Sequence, residues 1–174
     1  GIATDGTDYT SVGSVTITGG NDSATFTLST IDDAFVDGGE GITIDITGIN
    51  DVDNSFGSVA EGTPNQVTTT IVDDSDETVL TLGDITVDEG ANATISGSLN
   101  NAPTTDLTIT LGNGTDVATI TFLVGETVAT STSFVPQTDD VYVDAGTDTL
   151  SVTGVSGGGF EALNTTDLAT VTVN

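Results

Sequence analysis

The chain has 174 residues, 27 of them Asp or Glu, with no Lys, Arg or His, so its formal net charge is −27. No carboxylate can meet a cationic side chain, so each must be hydrated, hydrogen-bonded to backbone N–H, or neutralised by a bound cation. The same charge excludes nucleic acid and anionic membrane surfaces as electrostatic partners, and the absence of Cys excludes disulfides and thiolate metal sites.

Taken in chain order, the sequence predicts strands and almost no helix. Apolar and β-branched residues alternate in Val15–Thr18, Ala24–Leu28, Ile42–Ile46, Val67–Val72, Val79–Leu82, Leu107–Leu111, Thr119–Phe122, Thr149–Val152 and Ala169–Val173. Period-two alternation broken by Gly, Asn and Asp predicts strands with one face buried. Many such strands separated by turns predict an all-β chain of sandwich type. The opening Gly1-Ile-Ala has neither a basic region nor an apolar core that would mark a signal peptide. No apolar run approaches the ~20 residues of a membrane-spanning helix, so direct membrane insertion is not expected.

The chain also repeats itself. Thr30-Ile-Asp-Asp-Ala-Phe-Val-Asp-Gly-Gly39 lies over Gln137-Thr-Asp-Asp-Val-Tyr-Val-Asp-Ala-Gly146. Each copy follows two strand-like stretches joined by a Gly-containing turn (Gly19–Gly20; Gly125–Glu126), and each precedes a stretch ending Thr–Gly (Thr47–Gly48; Thr153–Gly154). The acidic Asp73-Asp-Ser-Asp-Glu77 separates the copies. The predicted organisation is an incomplete sandwich over 1–74, an acidic linker over 75–78 and a second domain over 79–174. Residues 79–114 hold about three strands' worth of pattern with no counterpart in the first copy. A sandwich without them would expose apolar faces and open edges. Two readings are open: the chain begins mid-domain, or strand addition from a neighbouring chain supplies the missing layer.

The block Ile31-Asp-Asp-Ala-Phe-Val-Asp-Gly-Gly-Glu40, together with Gly1-Ile-Ala-Thr-Asp-Gly-Thr-Asp-Tyr9, resembles Calx-β domains, in which acidic side chains fold around Ca²⁺ at one tip of the sandwich. That resemblance implies convergence of Asp8, Asp32, Asp33, Asp37 and Glu40, with Asp73 and Asp74 arriving from the last strand and Asp76 following in the linker. The second copy is similar to repeats of large RTX-type biofilm adhesins of Gram-negative bacteria, through Thr86-Val-Asp-Glu-Gly90, Leu111-Gly-Asn-Gly114, Asp139–Gly146 and Gly158-Gly-Phe-Glu161. It implies a further candidate set of Glu89, Asp139, Asp140 and Asp144. Thr147 stands where the first copy has Glu40, so fewer ligands are expected there. Together the resemblances imply tandem immunoglobulin-like, Calx-β-like β-sandwiches.

Elementary chemistry points the same way. Ca²⁺ takes 6–8 hard oxygen ligands at about 2.3–2.6 Å, and paired Asp residues beside an acidic segment supply such oxygens. Asp and Gly also dominate ordinary solvated turns, but the same pair occurs twice in register without a basic counter-charge, which favours calcium. Two other motifs fail on inspection. Gly38–Asp45 approaches a calcium β-roll nonapeptide, but Thr43 replaces its Asp and the motif occurs once. Asp51–Ser55 begins like an EF-hand loop, but Phe56 takes the place of the required Gly and Gly62 that of the bidentate Glu, which leaves a hairpin tip.

Catalysis has little to work with. Without His, Cys, Lys or Arg there is no triad, imidazole base, amine nucleophile or phosphate clamp, and without Trp there is no usual sugar-stacking platform for a carboxylate glycosidase. The Thr-rich stretches read as half-exposed strands rather than as an ice- or sugar-binding array. The expected role is therefore a non-enzymatic extender or stalk of a secreted, cell-surface adhesin, stiffened by Ca²⁺ and flanked by neighbouring repeats or like subunits. A Ca²⁺-dependent glycan- or protein-binding module and a self-assembling filament subunit remain as alternatives.

Overall fold

The computed structural model describes all 174 residues except Asp37, Val143 and Asp144, and the side chain of Asp116. Thirteen strands form among the described residues and no helix does, so the chain is all-β. Among the described residues no helix is long and apolar enough to cross a membrane. Two compact units emerge. Unit 1 is Gly1–Asp33 with Asp37–Asp74, and unit 2 is Ala34–Val36 with Ser75–Asn174.

Unit 2 has two sheets around one apolar core. Its strands are β5 (Glu77–Leu82), β6 (Ile85–Val87), β7 (Ser96–Leu99), β8 (Leu107–Gly112), β9 (Asp116–Phe122), β10 (Val128–Thr130), β11 (Gly146–Ser156), β12 (Ala162–Asn164) and β13 (Ala169–Val173). The four-stranded sheet runs β10-β7-β5-β12 and the five-stranded sheet runs β6-β13-β11-β8-β9. Alternation sets which side chains turn inward: β5 buries Thr78, Leu80 and Leu82, and β8 buries Leu107, Ile109 and Leu111. These meet Ile95, Ile120, Phe122, Leu150 and Val171 in the core. Gly97 of β7 gives the two sheets room to approach, since a Cβ there would stand 3.0 Å from the Phe122 ring and 3.1 Å from Ile120.

The long strand β11 changes partner along its length. Residues 146–150 pair with β13, and after Leu150 the strand pairs with β8 through Ser151↔Gly112 to Ser156↔Thr108, with a bulge between Val152 and Gly154. On its other edge β8 pairs with β9, Ile109 facing Ile120 and Leu107 facing Phe122. Strand β10 joins the other sheet by pairing with β7.

Unit 1 contains β1 (Tyr9–Thr10), β2 (Ser29–Thr30), β3 (Gly41–Asp45) and β4 (Gln66–Thr70), joined as two antiparallel pairs, β1-β2 and β3-β4. Its buried apolar residues are Ala3 and Ile42. The predicted strands Val15–Thr18 and Ala24–Leu28 form no ladder, although the turn between them is present: Asn21 N–H donates to Thr18 O at 3.0 Å across Gly20 at φ 90°. The equivalent turn of unit 2 has the same bond, Glu126 N–H to Leu123 O at 2.9 Å, across Gly125 at φ 82°. The difference is the partner strand. In unit 2, β9 before the turn is held by β8 and β10 after it by β7, and both holders lie in the stretch with no counterpart in the first copy. The pair β3-β4 has both its members in the first copy and it forms, as its equivalent β11-β13 does in unit 2.

Candidate metal centre

Most carboxylates whose contacts are defined are engaged by backbone N–H. Asp167 accepts from Leu82 N–H at 2.7 Å, Asp84 from Thr170 N–H at 2.7 Å, and Asp106 from Val124 N–H at 3.1 Å. Asp51 accepts from both Ser55 and Phe56, at 3.2 and 3.0 Å. These acids stitch loops to strand ends, where backbone donors would otherwise face only water. Asp51 thereby makes a local turn, and the residues beside it do not assemble as a helix–loop–helix cation site.

The candidate ligands of unit 1 have distinct surroundings. Asp8 is buried, and its carboxylate accepts the Thr4 N–H. Its carbonyl accepts the Ile31 N–H at 2.9 Å, so the β1-β2 pairing sets Asp8 beside the start of the acidic block. Asp32 is exposed and Asp33 half-buried. Glu40 is half-buried with its carboxylate against Gly1, and the Asp73 carboxylate lies against Gly38, 3.3 Å from where a Cβ would stand. Asp37 lies outside the described residues.

A carboxylate oxygen from each of Asp32, Asp74 and Asp76 lies within 4.8 Å of the other two. Ligand oxygens of one Ca²⁺ stand no more than about 5.2 Å apart, given its usual bond lengths, and these three oxygens fall inside that limit. Three carboxylates also supply the hard, anionic oxygens that Ca²⁺ prefers, and backbone carbonyls and water would complete its sphere. This cluster of three acids could hold a metal ion.

In unit 2 the turn Asp88–Gly90 meets the second acidic block. Gly90, at φ 72°, donates its N–H to Gln137 O at 3.0 Å, and a Cβ there would stand 2.7 Å from Asp139 Cβ. This contact brings the segment bearing Glu89, which is half-buried, against exposed Asp139. Asp140 turns to its own loop, accepting Tyr142 N–H at 2.7 Å. Asp144 lies outside the described residues. Sequence reasoning quoted Glu161 but gave it no role. Its carboxylate accepts the Asp76 N–H at 2.7 Å, and the Gly-Gly-Phe-Glu string was the available signal.

The LapA domain matches residues 76–174, more than half of the chain and nearly all of unit 2. The chain belongs to the LapA domain family. A comparison with curated proteins gives no match. Membership fits a biofilm-adhesin-related protein, and with the all-β fold it suggests a structural role at the cell surface or outside the cell.

Proposed function

We propose that this LapA-domain chain is an extender segment of a secreted bacterial surface adhesin, a non-enzymatic stalk stiffened by Ca²⁺ at its acidic loops and linker. The observation that supports it most is the LapA match to residues 76–174, a stretch that makes two sheets around one apolar core. Repeated units of this kind stack into quasi-linear rods. The acidic segment 73–77 repels itself, and Ca²⁺ drawn in by Asp32, Asp74 and Asp76 offsets that repulsion.

The test is small-angle scattering of the 174-residue chain in EDTA and in millimolar Ca²⁺. A narrower distribution of end-to-end distances with Ca²⁺ is expected. Superimposable profiles would overturn the stiffening, and Ca²⁺-dependent retention on a panel of immobilised glycans would replace the stalk with a ligand-binding module.

A further inference from the structure

We infer that Val141–Tyr142 is a docking segment, and that its partner is the edge Gly159–Glu161 of the LapA domain in a second molecule. The ground is a contact that the structure already makes once. In the first acidic block, Ala34–Val36 lies along that edge as part of unit 2. Val36 N–H donates to Gly159 O, Glu161 N–H donates to Ala34 O, and the Phe35 ring stacks on Phe160. The edge thus offers one backbone acceptor, one backbone donor and one ring, a short strand addition around an aromatic anchor.

The sequence builds this edge. Gly159 sits at φ 75°, and a Cβ there would collide with Thr104 Oγ1. Thr104 N–H donates to Gly158 O at 3.0 Å, and Gly158 N–H donates to Thr105 Oγ1 at 3.0 Å. The glycines are thereby pinned to residues 104–105, which fixes where Phe160 presents its ring.

The second acidic block repeats the ligand without the contact. Asp139-Asp-Val-Tyr142 aligns with Asp32-Asp-Ala-Phe35, so Val141 and Tyr142 stand where Ala34 and Phe35 do. They are 90% and 72% exposed. Tyr brings the same ring face, and its hydroxyl can stay in water. The edge in its own molecule is filled by Ala34–Val36, so Tyr142 fits the edge of another LapA domain in which that segment is lifted. A contact of so few residues buries far less than the ~1,200 Å² of a stable complex, so the association is weak.

Phe35→Ala opens the edge on a full chain that keeps Tyr142. Sedimentation is followed over rising concentration, in EDTA so that neither calcium nor the stalk reading enters. High NaCl screens the repulsion between chains of net charge −27. The mean mass of the variant is expected to rise with concentration from the monomer toward head-to-tail chains, while the parent stays monomeric. Phe35→Leu, a milder opening, should associate less and with the same dependence on Tyr142. Phe35→Ala with Tyr142→Ala has an open edge and no docking residue. Alone it should stay monomeric, and mixed with the parent it should form a one-to-one complex. Phe35→Ala that is monomeric at every concentration overturns the inference, and so does association that survives Tyr142→Ala.

Discussion

Phe35 stacks on Phe160, ring centroids 5.7 Å apart and planes inclined by 23°. The two residues also face each other in an antiparallel bridge, flanked by Val36 N–H to Gly159 O and Glu161 N–H to Ala34 O, both at 3.2 Å. A three-residue piece of the first acidic block, Ala34–Val36, is thus part of unit 2. In the repeat Phe35 aligns with Tyr142, which is 72% exposed. The aromatic character is shared and the environment is not.

Phe35→Ala removes the stacked pair and its buried area. Unit 2 should lose about 1–2 kcal/mol, read as a lower midpoint in urea denaturation, whereas Phe35→Leu should lose less than half of that. Equal midpoints for Phe35→Ala and the parent would show that the stack contributes nothing to stability.

Ser131 tests the polar side of the core. Its hydroxyl accepts the N–H of fully buried Ile95 at 2.9 Å and donates to Thr132 O at 2.9 Å. Ser131→Ala leaves the Ile95 donor without its acceptor in a place water cannot reach, which costs about 1–3 kcal/mol. Exposed Ser133→Ala should change stability by less than about 0.5 kcal/mol. Matching losses for the two variants would contradict the hydrogen-bond argument.

Calcium should raise the melting temperature strongly. A single site occupied only in the folded state adds about 2.7 kcal/mol at a hundredfold excess over Kd. NaCl should recover only part of the gain, since screening relieves diffuse repulsion without filling a coordination sphere. Asp74→Asn with Asp76→Asn should remove most of the Ca²⁺ response while leaving the melting temperature in EDTA unchanged or slightly higher, because two repelling charges are gone. The same melting temperature for the parent in EDTA and in Ca²⁺ would mean that no cation site stabilises the fold.

Alternation alone made the central strands of unit 2 legible. Leu107–Leu111, Thr119–Phe122 and Ala169–Val173 sit inside β8, β9 and β13 with the expected residues buried. Strands β7 and β12 escaped notice because Ser96-Gly-Ser-Leu99 and Ala162-Leu-Asn164 have little alternation of their own. Gly97 is in a strand because Phe122 and Ile120 need the space above it, a long-range requirement that no local pattern records. Val15–Thr18 fails in the opposite sense: its pattern is as good as that of β9, yet a strand needs a neighbour for its backbone groups.

The acids divide along the same line. Composition by itself determined that no carboxylate in this chain is neutralised by a basic side chain, and the Asp–Asp repeat marked where oxygen donors concentrate. Only the tertiary structure decided which of them cap strand ends, as Asp84 and Asp167 do, and which of them, Asp32, Asp74 and Asp76, share one small volume. The physical reason is that charge and side-chain period are local properties of a sequence. A ladder partner or a common coordination sphere is a relation between residues far apart in the chain, and folding alone brings them together.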